Sequence, residues 1–212
     1  MKKVFAAIFV FMFSFVNLVY ANSYDGWMTV KMANEIEFQI PPTLEVQTER
    51  YINQIKNNAP RYMYDMVAKP TETKYILQQR GLNDGSPDAL KHFVRVFISI
   101  QDNEYELPKF GEQLDFTKDE LDEFNGIFLQ APGLVDIINP AHITDIDGKQ
   151  AVRITYATQF PGYPVAINDE YYFYNGHKIY RVRIMIRSTE YQLWTEGNND
   201  IRNIVKTLKL IV

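Results

Sequence analysis

The sequence of 212 residues contains no cysteine. This absence excludes disulfide bonds, catalysis by a thiol and zinc sites with thiolate ligands. It also excludes a lipid-anchored lipoprotein, because the cysteine that would carry the lipid is missing. A domain of this length can bury a sizeable apolar core without disulfides, so the lack of cysteine is compatible with export.

Residues typical of catalytic sites are also scarce. The three histidines, His92, His142 and His177, are far apart and do not form a His-Glu-x-x-His zinc motif. No Gly-x-Ser-x-Gly sequence marks a nucleophilic serine. The segment 145–148 resembles the start of a calcium loop but lacks the third acidic position and the closing glutamate. The sequence therefore predicts no catalytic residue, no metal site and no cofactor, which favours a binding protein over an enzyme.

Basic residues are too few for a nucleic-acid-binding protein. Lysine and arginine total 22 against 26 acidic residues, which gives a formal net charge of −4. Proteins that bind nucleic acid present basic faces to the phosphate backbone. The composition thus excludes nucleic acid as an expected partner.

The N-terminus has the pattern of a secretory signal peptide. Lys2 and Lys3 precede an apolar run over 4–19, and Val19-Tyr20-Ala21 provides a cleavage site. The run is shorter than the ~20 residues that a spanning helix needs, so we expect cleavage and no stable membrane span. The sequence predicts a signal peptide at 1–21 and a single exported domain at 22–212, in the periplasm, at the cell surface or outside the cell.

Alternation of apolar and polar residues predicts an antiparallel sheet. The predicted strands are 27–32, 35–40, 74–79, 93–100, 143–146, 150–158, 170–174 and 178–187. The first two are expected to form an N-terminal hairpin with a two-residue turn at Ala33–Asn34. Helices are predicted at 46–58, from Thr117 to the Pro132–Gly133 pair, and at 189–205. The alternative for the last of these is a helix interrupted at Gly197-Asn198-Asn199. At the second of these, Thr117 and Glu120 have the spacing of a capping box.

Two dipeptides in the last 70 residues are typical hairpin turns. Asp147–Gly148 and Asn175–Gly176 each separate alternating segments, and both are expected to form type I′ turns. They predict a C-terminal four-strand antiparallel meander. The expected fold class is α+β, an antiparallel sheet with helices packed on its faces.

The order of elements resembles the PsbP-like superfamily. The segments that carry the resemblance are 147–153 (DGKQAVR) and 175–180 (NGHKIY), and 78–84 (QQRGLND) is similar to a segment of uncharacterised exported bacterial proteins. The superfamily consists of α/β/α sandwich domains related to an extrinsic subunit of photosystem II and to a Ran-binding nuclear transport factor. The resemblance implies an accessory or binding module and supplies no catalytic residues.

Arginines interrupt the apolar alternation in several predicted strands. Arg181, Arg183 and Arg187 share one face of the last long strand, and guanidinium groups bind carboxylates and phosphates through paired donors. The candidate ligand-binding residues are Arg95, Arg153, Arg181, Arg183, Arg187, Tyr163, Tyr172 and Tyr174. The alternative is that these arginines form salt bridges with Asp169, Glu170 or the acidic helix.

The sequence is compatible with two functions. The first is a non-enzymatic accessory or binding protein of the bacterial cell envelope, whose partner is an unknown envelope protein. The aromatic, proline-containing loop 160–165 is either a contact surface for that partner or a lid on the sheet edge. The second is a carrier or enzyme for a small anionic ligand held by the arginine-lined sheet face.

Overall fold

The computed structural model of the protein describes residues 24–58, 73–197 and 200–211. The predicted signal peptide at 1–21 lies outside these residues. The chain is a mixed α+β protein, as the sequence predicts, and the described residues form two antiparallel sheets.

The larger sheet has six strands in the order β3-β4-β5-β8-β7-β6. These strands are β3 (Leu44–Val46), β4 (Thr73–Gln79), β5 (Val94–Leu107), β6 (Leu134–Ile146), β7 (Lys149–Thr158) and β8 (Ala166–Arg187). All of their pairings are antiparallel. The Asp147–Gly148 turn between β6 and β7 has φ of 53° and 77°, which confirms the predicted type I′ geometry.

The smaller sheet is the predicted N-terminal hairpin joined by the C-terminus. It consists of β1 (Met28–Met32), β2 (Ile36–Ile40) and β9 (Lys209–Leu210). Ala33 and Asn34 between β1 and β2 both have positive φ, and the Glu35 amide donates to the Met32 carbonyl.

Within the described ranges, three α-helices accompany the sheets: α1 (Glu49–Asn58), α2 (Lys118–Phe128) and α3 (Tyr191–Thr195). The predicted capping box of α2 is present, since Thr117 and Glu120 exchange side-chain and backbone hydrogen bonds. The helix predicted at 189–205 is wrong as one element. It is divided into a 3₁₀ turn at Ser188–Glu190, α3 and a 3₁₀ helix at Ile201–Thr207, with Gly197 at positive φ between the last two.

The extended segment β8 is continuous over 22 residues, but it doubles back at Asn175–Gly176. Its first half pairs with β7 and its second half with β5. Glu170 and Arg181 are in direct contact, although eleven residues of straight strand would separate them by roughly 36 Å. The two halves of β8 therefore lie side by side, which makes the predicted four-strand meander. The turn is not type I′, because Gly176 has positive φ and Asn175 does not.

Strand β6 is longer than the sequence pattern predicts. It begins at Leu134 rather than Ile143, and it is the edge strand of the larger sheet. Most of its first nine residues are at least partly exposed, and it contains Pro140 and several register shifts. An exposed edge strand does not need the apolar alternation by which strands are recognised, so the pattern failed here.

The smaller sheet and the C-terminal helices pack on one face of the larger sheet, which we call the inner face. The main core lies between them and includes Ile36, Phe38, Val96, Ile98, Val182, Ile184, Ile201 and Ile204. Helix α2 packs on the opposite, outer face, over β6, β7 and the first half of β8. That second core includes Phe124, Phe128, Val152, Ile154, Tyr156 and Tyr174.

Candidate functional site

A buried carboxylate, Glu170, lies at the centre of a polar cluster on the outer face. Glu170 is fully buried, and its Oε1 accepts hydrogen bonds from the Arg181 Nε and the Tyr172 hydroxyl. Its Oε2 accepts one from the Tyr156 hydroxyl at 2.6 Å. We call Glu170, Arg181, Tyr156 and Tyr172 the outer cluster. The fold-back of β8 creates it, because Arg181 then lies opposite Glu170.

The charge of Glu170 is stabilised by neighbouring arginines. Burial by itself raises the pKa of a carboxyl group, but the positive charges of Arg181 and Arg183 more than offset burial and hold the pKa of Glu170 below its ordinary value. Burial and the nearby Glu170 carboxylate also raise the pKa of Tyr156 and of Tyr172. The two phenols therefore stay protonated and act as donors.

This arrangement makes stability depend on pH in the acid range. Because the pKa of Glu170 is lower in the folded than in the unfolded chain, its contribution is complete above the ordinary value of 4.5 and is lost as the pH falls through the folded value. The difference in unfolding free energy between the wild type and Glu170→Gln should be constant from pH 7 to about pH 5 and should shrink below about pH 4. Urea melts at several pH values measure it, and a difference that grows on acidification would contradict this account.

A second buried carboxylate, Asp169, forms a matching cluster on the inner face. Arg153 donates to both of its oxygens, from Nε and Nη2, at 2.8 Å each. Thr155 and Tyr171 add hydroxyl donors at 3.1 and 2.9 Å. Since neighbouring residues of a strand point to opposite faces, Asp169 and Glu170 hold arginines on opposite sides of one sheet. We call this second group the inner cluster.

The structure brings only some of the candidate arginines together. Arg95, Arg181 and Arg183 lie on the outer face, whereas Arg153 lies on the inner face. Arg187, at the end of β8, pairs with Glu190 at 2.7 Å. Salt bridges thus hold Arg153 to Asp169 and Arg181 to Glu170, which are partners that the alternative interpretation named. Arg187 is also held by a salt bridge, but its partner Glu190 was not among those named.

Arg95 and Arg183 have no carboxylate hydrogen-bonded to them in the described part of the chain. Arg95 donates from Nη1 to the Gln79 Oε1 and the Val94 carbonyl, both at 2.8 Å. The Arg183 guanidinium lies over the Phe97 ring, 4.4 Å from its centroid. Of these outer-face arginines, Arg183 therefore makes the fewest hydrogen bonds within the described residues.

The candidate tyrosines lie in three different surroundings. Tyr172 belongs to the outer cluster, and Tyr174 is buried against Phe116 with ring centroids 5.4 Å apart. Tyr163 lies in the loop between β7 and β8 and is 44% exposed. They do not form the walls of one groove around the arginines.

An exposed apolar surface lies where α2 ends and β6 begins. Of the nine large apolar side chains that are exposed in the described residues, four fall between positions 127 and 138. They are Ile127, Leu129, Val135 and Ile138, and we call them the edge patch. Their neighbours Phe124, Phe128, Leu134 and Ile137 pack inward. The sequence pattern did not indicate the patch. The apolar residues of an amphipathic helix such as α2 are normally assigned to the core, and this part of β6 has no strand pattern.

The sequence segment that contains the edge patch is strongly acidic. Residues 112–138 contain seven acidic residues and one lysine, a net charge of −6 for this segment. That lysine, Lys118, is paired with Asp122 at 2.8 Å. Exposed apolar side chains within an acidic segment are complementary to a partner surface that combines apolar and basic side chains.

Sequence reasoning named Asp169 and Glu170 only as possible ion-pair partners. Their central position follows from the run Asn168-Asp169-Glu170, whose three side chains are all buried. The available signal was two successive acidic residues in the middle of a strand, Asp169 and Glu170, each followed two positions later by a tyrosine. In the residues that the structure places, no group of three acidic or histidine side chains is arranged to hold a metal ion.

None of the helices in the described ranges is both long and apolar enough to cross a membrane. Neither a protein-family model nor a curated protein matches the sequence. The solved structures include the solution structure of cyanobacterial PsbP (CyanoP) from Synechocystis, with a TM-score of 0.51 and 12% identity over 90% of this chain and 95% of that one. A crystal structure from Bacteroides thetaiotaomicron matches at a TM-score of 0.43 and 7% identity, over 82% of this chain and 44% of that one. At such low identity the likeness concerns architecture alone, and the chain has a PsbP-like fold.

Proposed function

We propose that this chain is an exported, non-enzymatic binding protein of the bacterial cell envelope, which docks on a cationic partner protein through the edge patch. The observation that carries the proposal is the coincidence of four exposed apolar side chains with a segment of net charge −6. Clustered apolar exposure of this kind marks interaction sites on soluble domains.

The edge patch favours contact through side chains rather than through strand addition. Pro140 lacks an amide donor, and the register of β6 against β7 shifts at three places. Prolines and bulges make an edge strand a poor template for another strand. The partner is therefore expected to present apolar side chains flanked by lysine or arginine.

The buried clusters support a binding role over a catalytic one. Both oxygens of each carboxylate accept hydrogen bonds from arginine or hydroxyl donors of the same chain. Neither carboxylate is therefore available as a general acid or base for a substrate. The alternative of a carrier or enzyme with a broad arginine-lined site has less support. Three of its five arginines are held in salt bridges, and Arg153 faces away from the others.

A matched pair of variants tests the proposed docking. The tagged protein is cross-linked in envelope preparations, and the partner recovered by the wild type is then quantified. Ile127→Ser with Ile138→Ser should lose most of that partner, and added salt should weaken the wild-type complex. Met28→Ser with Leu193→Ser is the control, since both residues are exposed outside the patch, and it should retain the partner.

Two outcomes would overturn the proposal. One is equal recovery of the same partner by the patch variant and the control variant. The other is the recovery of no partner together with turnover of an envelope substrate by the pure wild-type protein, which would make the chain an enzyme.

A further inference from the structure

Gly126 interrupts the outward side of helix α2 without a reason in the fold. It lies in the interior of the helix, where glycine is destabilising relative to alanine. Its φ is not positive, and no atom beyond its chain neighbours and the local helix backbone lies within 4 Å of the position that a Cβ would occupy. Neither the backbone conformation nor close packing within the described residues therefore requires glycine here.

The missing side chain leaves a notch between two residues of the edge patch. At 3.6 residues per turn, Ile127 lies about 100° to one side of Gly126 and Leu129 about 60° to the other. Leu129 follows the last helical residue but keeps helical dihedral angles, with φ of −60° and ψ of −19°. Both flanking side chains are about two-thirds exposed. A gap between apolar side chains on a helix accepts a side chain of a second helix packed across it.

The same side of α2 attracts positive charge. Asp119 and Glu123 are exposed on the i, i+4 row that ends at Ile127, and no ion pair holds either carboxylate within the described residues. The last turn of α2 contains no basic residue, so the helix itself does not compensate the negative end of its dipole. Lysine or arginine side chains beside the notch would be stabilised by both features.

We propose that the partner docks on the edge patch with a basic amphipathic α-helix that crosses α2 at Gly126. One large apolar side chain of that helix fills the notch beside Ile127 and Leu129. Its flanking lysines or arginines lie against Asp119 and Glu123. A helix satisfies its own backbone hydrogen bonds and needs none from β6, whose proline and register shifts disfavour strand addition. This inference rests on the proposed docking function and specifies the element of the partner that is bound.

Substitutions of Gly126 separate binding from stability. Gly126→Leu fills the notch with a residue of higher helix propensity, so the variant should melt at or above the wild-type temperature. It should nevertheless bind a helical probe about tenfold more weakly, because its side chain occupies the space of the partner. Gly126→Ala should also melt higher and should lose less affinity. Gln192→Leu is the control, since it adds a leucine at an exposed position of α3, and it should bind like the wild type.

The probe is a fluorescent peptide of about 18 residues, five helical turns, with leucines on one face and lysines on its flanks. One comparison peptide has the same charge but a central proline, which breaks the helix. Another has glutamate in place of every lysine. Fluorescence anisotropy at constant ionic strength should show saturable binding of the helical peptide to the wild type. Each comparison peptide should bind at least about tenfold more weakly.

The cross-linking assay with envelope preparations separates this inference from the docking function. Loss of the partner by Gly126→Leu, as by Ile127→Ser with Ile138→Ser, would support the helix. If Gly126→Leu retained the partner and the serine variant lost it, docking would stand and the helical mode would be wrong. Equal recovery by all variants would overturn docking itself. The helical mode would also be wrong if the wild type did not bind the helical peptide saturably, if the proline peptide bound equally well, or if Gly126→Leu kept the wild-type affinity.

Discussion

Replacing Glu170 with glutamine is expected to lower the free energy of unfolding by about 3–5 kcal/mol. The substitution keeps the shape of the side chain but removes the charge that Arg181 needs in a buried position. The Arg181 side chain is about one quarter exposed and the Glu170 side chain is fully buried, so solvent screens the pair poorly. Denaturant melts of the wild type and the variant at pH 7 measure the difference.

An exposed ion pair provides the control for this prediction. Glu35 and Lys178 are 2.6 Å apart, but their side chains are 33% and 37% exposed. Glu35→Gln should therefore cost under about 1 kcal/mol. Replacing Glu170 with leucine and Arg181 with methionine together should cost less than Glu170→Gln, because Arg181 is then not left in place without its hydrogen-bonded carboxylate. Similar losses for Glu170→Gln and Glu35→Gln would show that the outer cluster is not important for stability.

Replacing Gly176 with valine is expected to destabilise the protein by about 1–3 kcal/mol. Gly176 has φ of +60°, a conformation that a β-branched residue adopts at a high cost. No atom lies within 4 Å of the position that a Cβ would occupy, so the cost comes from the backbone and not from a clash. Thermal and denaturant melts measure it.

Gly126 offers the matched control, because it also has open space around its Cβ position but does not have positive φ. Gly126→Val in helix α2 should be close to neutral, since valine has a slightly higher helix propensity than glycine. If both variants melted with the wild type, the fold-back of β8 would not depend on the conformation of Gly176. The cross-strand pairing of Glu170 with Arg181 would then have to be fixed by something other than the turn.

The sequence predicted those elements in which local chemistry and packing agree. The Ala33–Asn34 turn, the Asp147–Gly148 turn and the Thr117–Glu120 capping box all formed where their residues indicated. Each depends on backbone preferences that act within four residues. The α+β class followed from the same signals.

Predictions failed where tertiary contacts outweigh the local pattern. The first part of β6 reads as irregular chain, because an exposed edge strand carries a polar and proline-containing sequence. In the C-terminal segment the alternative of a break at Gly197 is the correct one, and the part after it forms a 3₁₀ helix that packs Ile201 and Ile204 into the main core. In both cases the position in the fold, rather than propensity, decides the outcome.

The candidate site was less predictable than the fold. Period-two alternation placed Arg181 and Arg183 on one face, but it does not give the relative orientation of different strands, so Arg153 was grouped with them. The amide nitrogen of Asn168 donates to groups on β7 and at the start of β8, which are brought together only by strand pairing. Such a pattern depends on distances across the sheet and leaves no signal in a single sequence.

The position of two buried carboxylates in succession constrains how this chain can change during evolution. A lineage that loses Glu170 while keeping Arg181 passes through a protein with an uncompensated internal charge, and the same holds for Asp169 and Arg153. Each pair is therefore expected to be inherited or lost together. Since Asp169 and Glu170 are adjacent, a shift of the strand by one residue would exchange their faces and disrupt both pairs at once. Insertions and deletions should consequently be tolerated in the loop before β8 and be rare between Asp169 and Arg181.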